Sequence, residues 1–163
     1  MRLFTDNFAG ELSLGLPPEL SVSLNLPNGT APKFHPDAAK ATAYTPAVVA
    51  KYLFNEPSSQ IRPYVGLGVT HASFKNVNIN RADATVVTLA GTSASMSSSW
   101  APVYNFGFIY NIDDKWSINS SVSYIPLKSD ITMTGTGAGA GLTTRSTLTI
   151  NPTDYIVRVG YKF

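Results

Sequence analysis

The sequence predicts an all-β chain: an antiparallel, up-and-down transmembrane β-barrel with about six strands represented. Three observations predict it. Apolar residues recur at every second position in separate stretches. The connectors between those stretches alternate between short and long. Aromatic rings bracket the apolar faces at a spacing that matches a membrane.

The first strand, about 8–26, opens on "FAGELSLGL". Phe8, Leu12, Leu14 and Leu16 share one face, and Ala9, Glu11, Ser13 and Gly15 the other, because successive strand residues point to opposite sides. The second, 44–54, is "YTPAVVAKYLF", where Ala47 and Val49 make the other face apolar as well. The third, 61–74, sets Val65, Leu67 and Val69 against Tyr64, Gly66, Gly68 and Thr70. The fourth, 99–112, sets Trp100, Tyr104, Phe106, Phe108 and Tyr110 against Ala101, Val103, Asn105, Gly107 and Ile109. In the fifth, 116–130, Trp116, Ile118, Val122 and Tyr124 oppose Ser117, Asn119, Ser121 and Ser123. The sixth, 145–163, ends in "YIVRVGYKF", with Tyr155, Val157, Val159, Tyr161 and Phe163 on one face and Ile156, Arg158, Gly160 and Lys162 on the other. No helix-period segment with caps is visible.

The connectors 5–7, 55–60 and 111–115 are short and turn-like, whereas 27–43, 75–98 and 131–144 are long and rich in small polar residues. Transmembrane barrels have this asymmetry, with short periplasmic turns and longer extracellular loops. Trp116 and Tyr124 lie eight residues apart, as do Tyr155 and Phe163. Eight residues in a tilted strand climb about 20 Å, near the ~25 Å apolar band that aromatic girdles flank. Phe8, Phe54, Tyr110, Trp116 and Phe163 form the expected girdle at the short-turn end, and Tyr44, Trp100, Tyr124 and Tyr155 the opposite one. The competing reading is a soluble β-sandwich with the rings in its core. The two belts and the loop asymmetry together favour the membrane.

Composition narrows the function. Charged residues are 13% of the chain, against about 25% in a typical soluble domain. No apolar run approaches the ~20 residues of a membrane helix. The net charge of +2, with no basic stripe, argues against nucleic acid. There is no cysteine, hence no thiolate chemistry. His35 and His71 have no metal or triad spacing and are expected to be solvated near the long loops. Asp113–Asp114 reads as a turn, where Asp bonds its own backbone. Gly66 and Gly68 lack the following helix of a dinucleotide motif. No enzyme activity, metal or cofactor is therefore expected. "MRLFTDNFAG" has no apolar core of a signal peptide.

Taken together, "RPYVGLGVTHASF", "SSWAPVYNFGFIYNIDDKWSINSSVSYIPLK", "INPTDYIVRVGYKF", "YTPAVVAKYLF" and the "TDNFAGEL" turn resemble the OmpW family of bacterial outer-membrane proteins. The resemblance covers nearly all of the chain outside the long loops. It implies an eight-stranded barrel in a Gram-negative outer membrane, among lipid and lipopolysaccharide. It further implies a narrow lumen that passes small hydrophobic molecules; a relative in the family serves alkane uptake. In that picture solute enters from outside and leaves sideways into the membrane, because the periplasmic end is closed. Phe163, a terminal aromatic on an alternating strand, resembles the signal read by the barrel-assembly machinery. Family members carry a signal peptide, a first strand and most of a second before the position matched by "MRLFTDNF". The single domain, 1–163, is thus expected to be N-terminally incomplete and not to close the eight-stranded barrel alone, since open sheet edges are not tolerated in hydrocarbon.

Strand parity supplies candidate site residues. Glu11, Lys51, Arg62, Arg158 and Lys162 point inward near the short-turn end, where charges should pair. Glu11 can meet Lys51 across adjacent strands and share itself with Arg158. Arg62, beside a turn, is expected at a solvated mouth. Two roles fit the group: a polar plug or a charge filter. Higher up, Val49, Val103, Asn105, Ser121, Ser123 and Ile156 line the lumen, either as packing or as contacts for hydrophobic solute. Some family members carry Trp where Ser123 stands. Proline removes a ladder hydrogen bond. Pro17, Pro18 and Pro126 are read either as strand breaks or, by resemblance, as a weakened seam for lateral exit. A structural or receptor barrel, whose outer loops bind a phage or bacteriocin, is the alternative function.

Overall fold

A computed structural model of the chain describes residues 1–15, 17–25, 34–91, 93–134, 141 and 143–161. Lys162 and Phe163 lie outside them, as do parts of the long connectors, 26–33 and 135–140.

The elements run β1 (Arg2–Leu3), β2 (Phe8–Ser13), β3 (Glu19–Asn25), β4 (Phe34–Tyr44), β5 (Ala47–Leu53), β6 (Ile61–Ile79), α1 (Ala84–Ala90), β7 (Ser93–Met96), β8 (Ser99–Asn111), β9 (Trp116–Tyr124), β10 (Leu127–Thr134), β11 (Thr143–Ile150) and β12 (Thr153–Tyr161). All strand pairings are antiparallel, and the main sheet runs β1-β2-β5-β6-β8-β9-β12. β3 and β4 extend it outward beside the upper half of β6, and β10–β11 form a second outer ribbon. The sheet curls enough for Arg158 on β12 to reach Glu11 on β2. It is a half-barrel whose β12 pairs, among the described strands, with β9 alone.

The alternation has its expected effect. In β5 buried and exposed residues strictly alternate. Val48, Val65, Leu67, Val69, Phe106, Phe108, Val157 and Val159 cover the convex face and are all exposed. A patch of that size is a liability in water, but it is the required surface in lipid.

Two features depart from the sequence expectation. Three strands read as continuous are interrupted: 8–26 between Ser13 and Glu19, 116–130 at Ile125–Pro126 and 145–163 at Asn151–Pro152, while Thr45–Pro46 parts β5 from β4. Proline has no N–H to donate, so the ladder resets there. Among the described strands only β6, at 19 residues, runs unbroken across both levels. The long connectors are also more structured than expected. Residues 34–43 form β4, whose inward positions are the small Ala39, Ala41 and Ala43, too weakly apolar to announce a strand. Segment 75–98 holds the end of β6, β7 and the helix α1, with Asp83 as its N-cap. That helix spans fewer than two full turns, so it leaves no 3.6-residue period in the sequence.

Candidate functional site

The concave face is organised as rungs that cross the sheet. One rung is Lys51, Gly66, Asn105, Ser123 and Asp154. The next towards the short turns is Leu53, Tyr64, Gly107, Ser121 and Ile156, and then Arg62, Ile109, Asn119 and Arg158. On the other side of the Lys51 rung come Glu11, Val49, Gly68 and Val103. Of the predicted lining residues, Val49, Val103, Asn105, Ser121 and Ser123 are buried, and Ile156 is half-buried on the trough wall. The trough is an open space of about 1060 Å³ along Glu11, Arg62, Ile109, Asn119, Ile156 and Arg158, at the short-turn end.

Glycines make room for large side chains in this narrow space. A Cβ on Gly107 would sit 2.5 Å from the Tyr64 hydroxyl oxygen, so the glycine lets the Tyr64 ring lie across the neighbouring strand. Lys51 uses Gly66 in the same way, with its Cγ 3.2 Å from where a Cβ would be.

The structure brings three of the inward charges together. Glu11 accepts from Lys51 Nζ at 2.8 Å through one carboxylate oxygen, and from Arg158 Nη1 at 2.8 Å through the other. Ser13 Oγ adds a third donor at 3.0 Å. Lys51 also sits 4.4 Å from the centroid of the Tyr64 ring, whose hydroxyl donates to Asn119 Oδ1 at 2.8 Å. Lys51 and Glu11 are buried, whereas the Arg158 side chain is 37% exposed.

Arg62 corrects the expectation of a solvated mouth. It is only 5% exposed, because the turns cover it: Nη2 donates to the Asp6 carbonyl and, at 3.5 Å, to the Asn55 carbonyl. Among the described residues it has no carboxylate partner, and its Nε is buried without any acceptor. Lys162 lies outside the described residues.

The predicted girdle rings stand on the convex face. Phe8 and Phe54 flank Tyr52, each 5.1 Å away edge-on, and Trp116 packs on Tyr161 at 4.8 Å. At the other end Tyr44 lies under the Lys75 ammonium, Trp100 under His71, and Tyr124 stacks on Tyr104. Tyr155 is 81% exposed. Tyr110 is half-buried and its hydroxyl accepts from Gln60 Nε2. Phe163 lies outside the described residues.

The prolines differ in what surrounds them. Three interruptions are bridged. The Pro18 carbonyl accepts from Ala43 N, the Pro46 carbonyl from His71 N, and the Pro152 carbonyl from Ile125 N. Pro17 precedes the first of these bridges and is half-buried. The β8–β9 ladder instead stops at Tyr104–Tyr124, while β8 continues to pair with β6 as far as Ser99. Pro102 and Pro126 lie on the two sides of that gap, which closes again where Ser97 N donates to Asp130 O.

Three groups escaped the sequence reading. Ile125 and Leu127, either side of Pro126, turn inward into a cluster with Ala47, Val49, Ala101 and Val103; parity alone places them there. Asp154 joins the trough wall by the same parity. His35 is buried rather than solvated and bonds Asp83 through Nδ1. That bond, with the N–H groups of Val86 and Thr85, holds the Asp83 carboxyl below its ordinary pKa. Among the described residues no cluster of His, Cys, Asp and Glu could hold a metal ion.

Comparison with known proteins is consistent across sequence and fold. The OmpW family model matches residues 2–163. Outer membrane protein W of Vibrio cholerae is 31% identical over 167 residues, covering 99% of this chain and 70% of that protein. Outer membrane protein W of Salmonella typhimurium is 30% identical over 129 residues, with 78% of this chain and 57% of the relative covered. Outer membrane protein AlkL of Ectopseudomonas oleovorans is 31% identical over 91 residues, which are 36% of its length. The crystal structure of the outer membrane protein OprG from Pseudomonas aeruginosa superposes with a TM-score of 0.82 at 22% identity, covering 99% of this chain and 73% of that one. The solid-state NMR structure of AlkL in DMPC bilayers gives 0.63 at 20%, covering 98% and 67%.

Proposed function

This chain belongs to the OmpW family and resides in the outer membrane, and on that premise we propose that it is a channel for small hydrophobic molecules with lateral exit into the membrane. The observation that carries the reading is the apolar cluster of Val49, Ala101, Val103, Ile125 and Leu127. It lines the concave face directly behind the gap between β8 and β10. A solute in that cluster stands beside the stretch where, among the described residues, β8 pairs with β6 but not with the strand on its other side, so a way out between β8 and β10 breaks no ladder bond there. Glu11, level with Val49 and Val103, and Lys51 and Arg158 on the rungs towards the short turns act as the polar plug that closes the periplasmic end. Lipopolysaccharide surrounds the outer half, and Phe163 serves the assembly machinery. The test is uptake of a neutral hydrophobic tracer by proteoliposomes; a rate equal to that of protein-free vesicles refutes the channel.

A second reading is a receptor barrel for a phage or bacteriocin. It draws on the packed outer lobe, where Ala38, Ile79 and Val86 form a small core under α1. Deleting α1 would then abolish binding of such a partner while sparing tracer uptake.

A further inference from the structure

In the rung Arg62–Ile109–Asn119–Arg158, Arg158 already serves the plug through Glu11, whereas Arg62, Ile109 and Asn119 have no role in the reading above. Its polar members present donors. Asn119 Oδ1 is occupied by the Tyr64 hydroxyl, which leaves its Nδ2 for another acceptor. Arg158 spends Nη1 on Glu11 and keeps the rest of its fork. Arg62 is the decisive member: a guanidinium 5% exposed, with an Nε that has no acceptor and no carboxylate in reach among the described residues. A buried cation held only by carbonyl groups is costly, and an anion would offset that cost. Among the described residues no acid of the trough wall pairs with Arg62, and Asp114 is exposed in the turn after β8. Glu11 is shared by Lys51 and Arg158, Asp113 caps its own turn through the N–H groups of Lys115 and Trp116, and Asp154 stands two rungs away opposite Ser123. Ile109 and Asn119 stand between the two arginines, and Ile109 and Ile156 line the same trough. The rung therefore combines a fork of donors with an apolar wall.

We propose that this rung is a binding site for the carboxylate head of a small apolar solute, with Arg62 as its principal ligand, Asn119 and Arg158 as helpers, and Ile109 and Ile156 against the alkyl part. The proposal rests on the channel reading for the apolar class of the solute alone, since this rung lies on the short-turn side of the lateral exit.

The test is binding, so that it does not depend on transport. Protein reconstituted in lipid nanodiscs, with Arg side chains observed by 15N NMR, is titrated with hexanoate, 1-hexanol and inorganic phosphate. Hexanoate should saturate and shift the Arg62 Nε–H resonance; hexanol, of equal length, should leave it in place. Arg62→Gln should weaken hexanoate binding about tenfold or more, the loss of one charge-assisted contact. Arg62→Lys, which keeps the charge without the fork, should fall between, and far-UV circular dichroism shows that each variant folds. Equal hexanoate affinity in wild type and Arg62→Gln overturns the proposal. So does a phosphate titration that saturates the same resonance as tightly, since the site would then read charge alone. Failure of the channel reading looks different: no tracer uptake by wild-type protein, with hexanoate binding unchanged.

Discussion

Glu11 is the acid on which two cations converge, and its removal gives the sharpest prediction. Glu11→Ala leaves Lys51, whose side chain is 1% exposed, with only a 3.4 Å contact to the Tyr64 hydroxyl and the face of its ring. Breaking a buried pair from one side costs about 3–5 kcal/mol, because the surviving charge stays desolvated. Lys51→Met is milder: Glu11 keeps Arg158 and Ser13, so the expected loss is that of a charged hydrogen bond, about 1–3 kcal/mol. Arg158→Gln, at a 37% exposed side chain, should cost about 1 kcal/mol or less. The double variant Glu11→Ala/Lys51→Met should recover most of the Glu11→Ala loss, since neither buried charge remains. Urea unfolding in lipid vesicles, followed by tryptophan fluorescence, reads all four. A Glu11→Ala loss under about 1 kcal/mol, or a double variant no better than Glu11→Ala, refutes the idea that this acid holds a desolvated lysine in place.

Other predictions follow from the same face and from the outer lobe. Gly107→Ala would force its Cβ to within 2.5 Å of both the Ser120 carbonyl and the Tyr64 hydroxyl, so a destabilisation of about 1–3 kcal/mol is expected, read as a lower thermal midpoint. Pro126→Val restores a ladder donor beside the gap; folding should persist and tracer uptake fall, and unchanged uptake counts against a lateral exit there. Asp83 contributes stability that is present above the ordinary carboxylate pKa of about 3.9 and lost as pH falls through its lowered value. Amide protection in α1 should hold from pH 7 down to about 4 and then collapse, whereas in Asp83→Asn the collapse should vanish.

The membrane-level architecture was legible because its signal is the simplest one a sequence can carry. Inward and outward sets on β8, from Trp100 to Tyr110, follow strict parity in the structure as in the sequence. Lipid outside and a packed lumen inside enforce that parity at every position. The meeting of Glu11 with Lys51 and Arg158 was legible for the same reason, since few partners exist for a charge in a narrow lumen. The outer lobe obeys neither constraint. β4 alternates alanine with lysine and threonine, and α1, among its described side chains, fully buries Val86 alone, so neither writes a pattern that stands above loop composition. The burial of Arg62 and His35 depends on what covers them. The cover comes from turns and from α1, which are distant in sequence, and parity cannot foresee it.

The interruptions near Pro18, Pro46, Pro126 and Pro152 carry a consequence for tolerance to insertion and deletion. In an uninterrupted hairpin, one added residue at the tip shifts every partner below it and turns an entire face inside out. Here a shift in the β3–β4 or β10–β11 ribbon meets a break before it reaches the lipid-facing rungs. The exterior can thus lengthen, shorten or exchange its hairpins while the frame of the section beneath stays fixed.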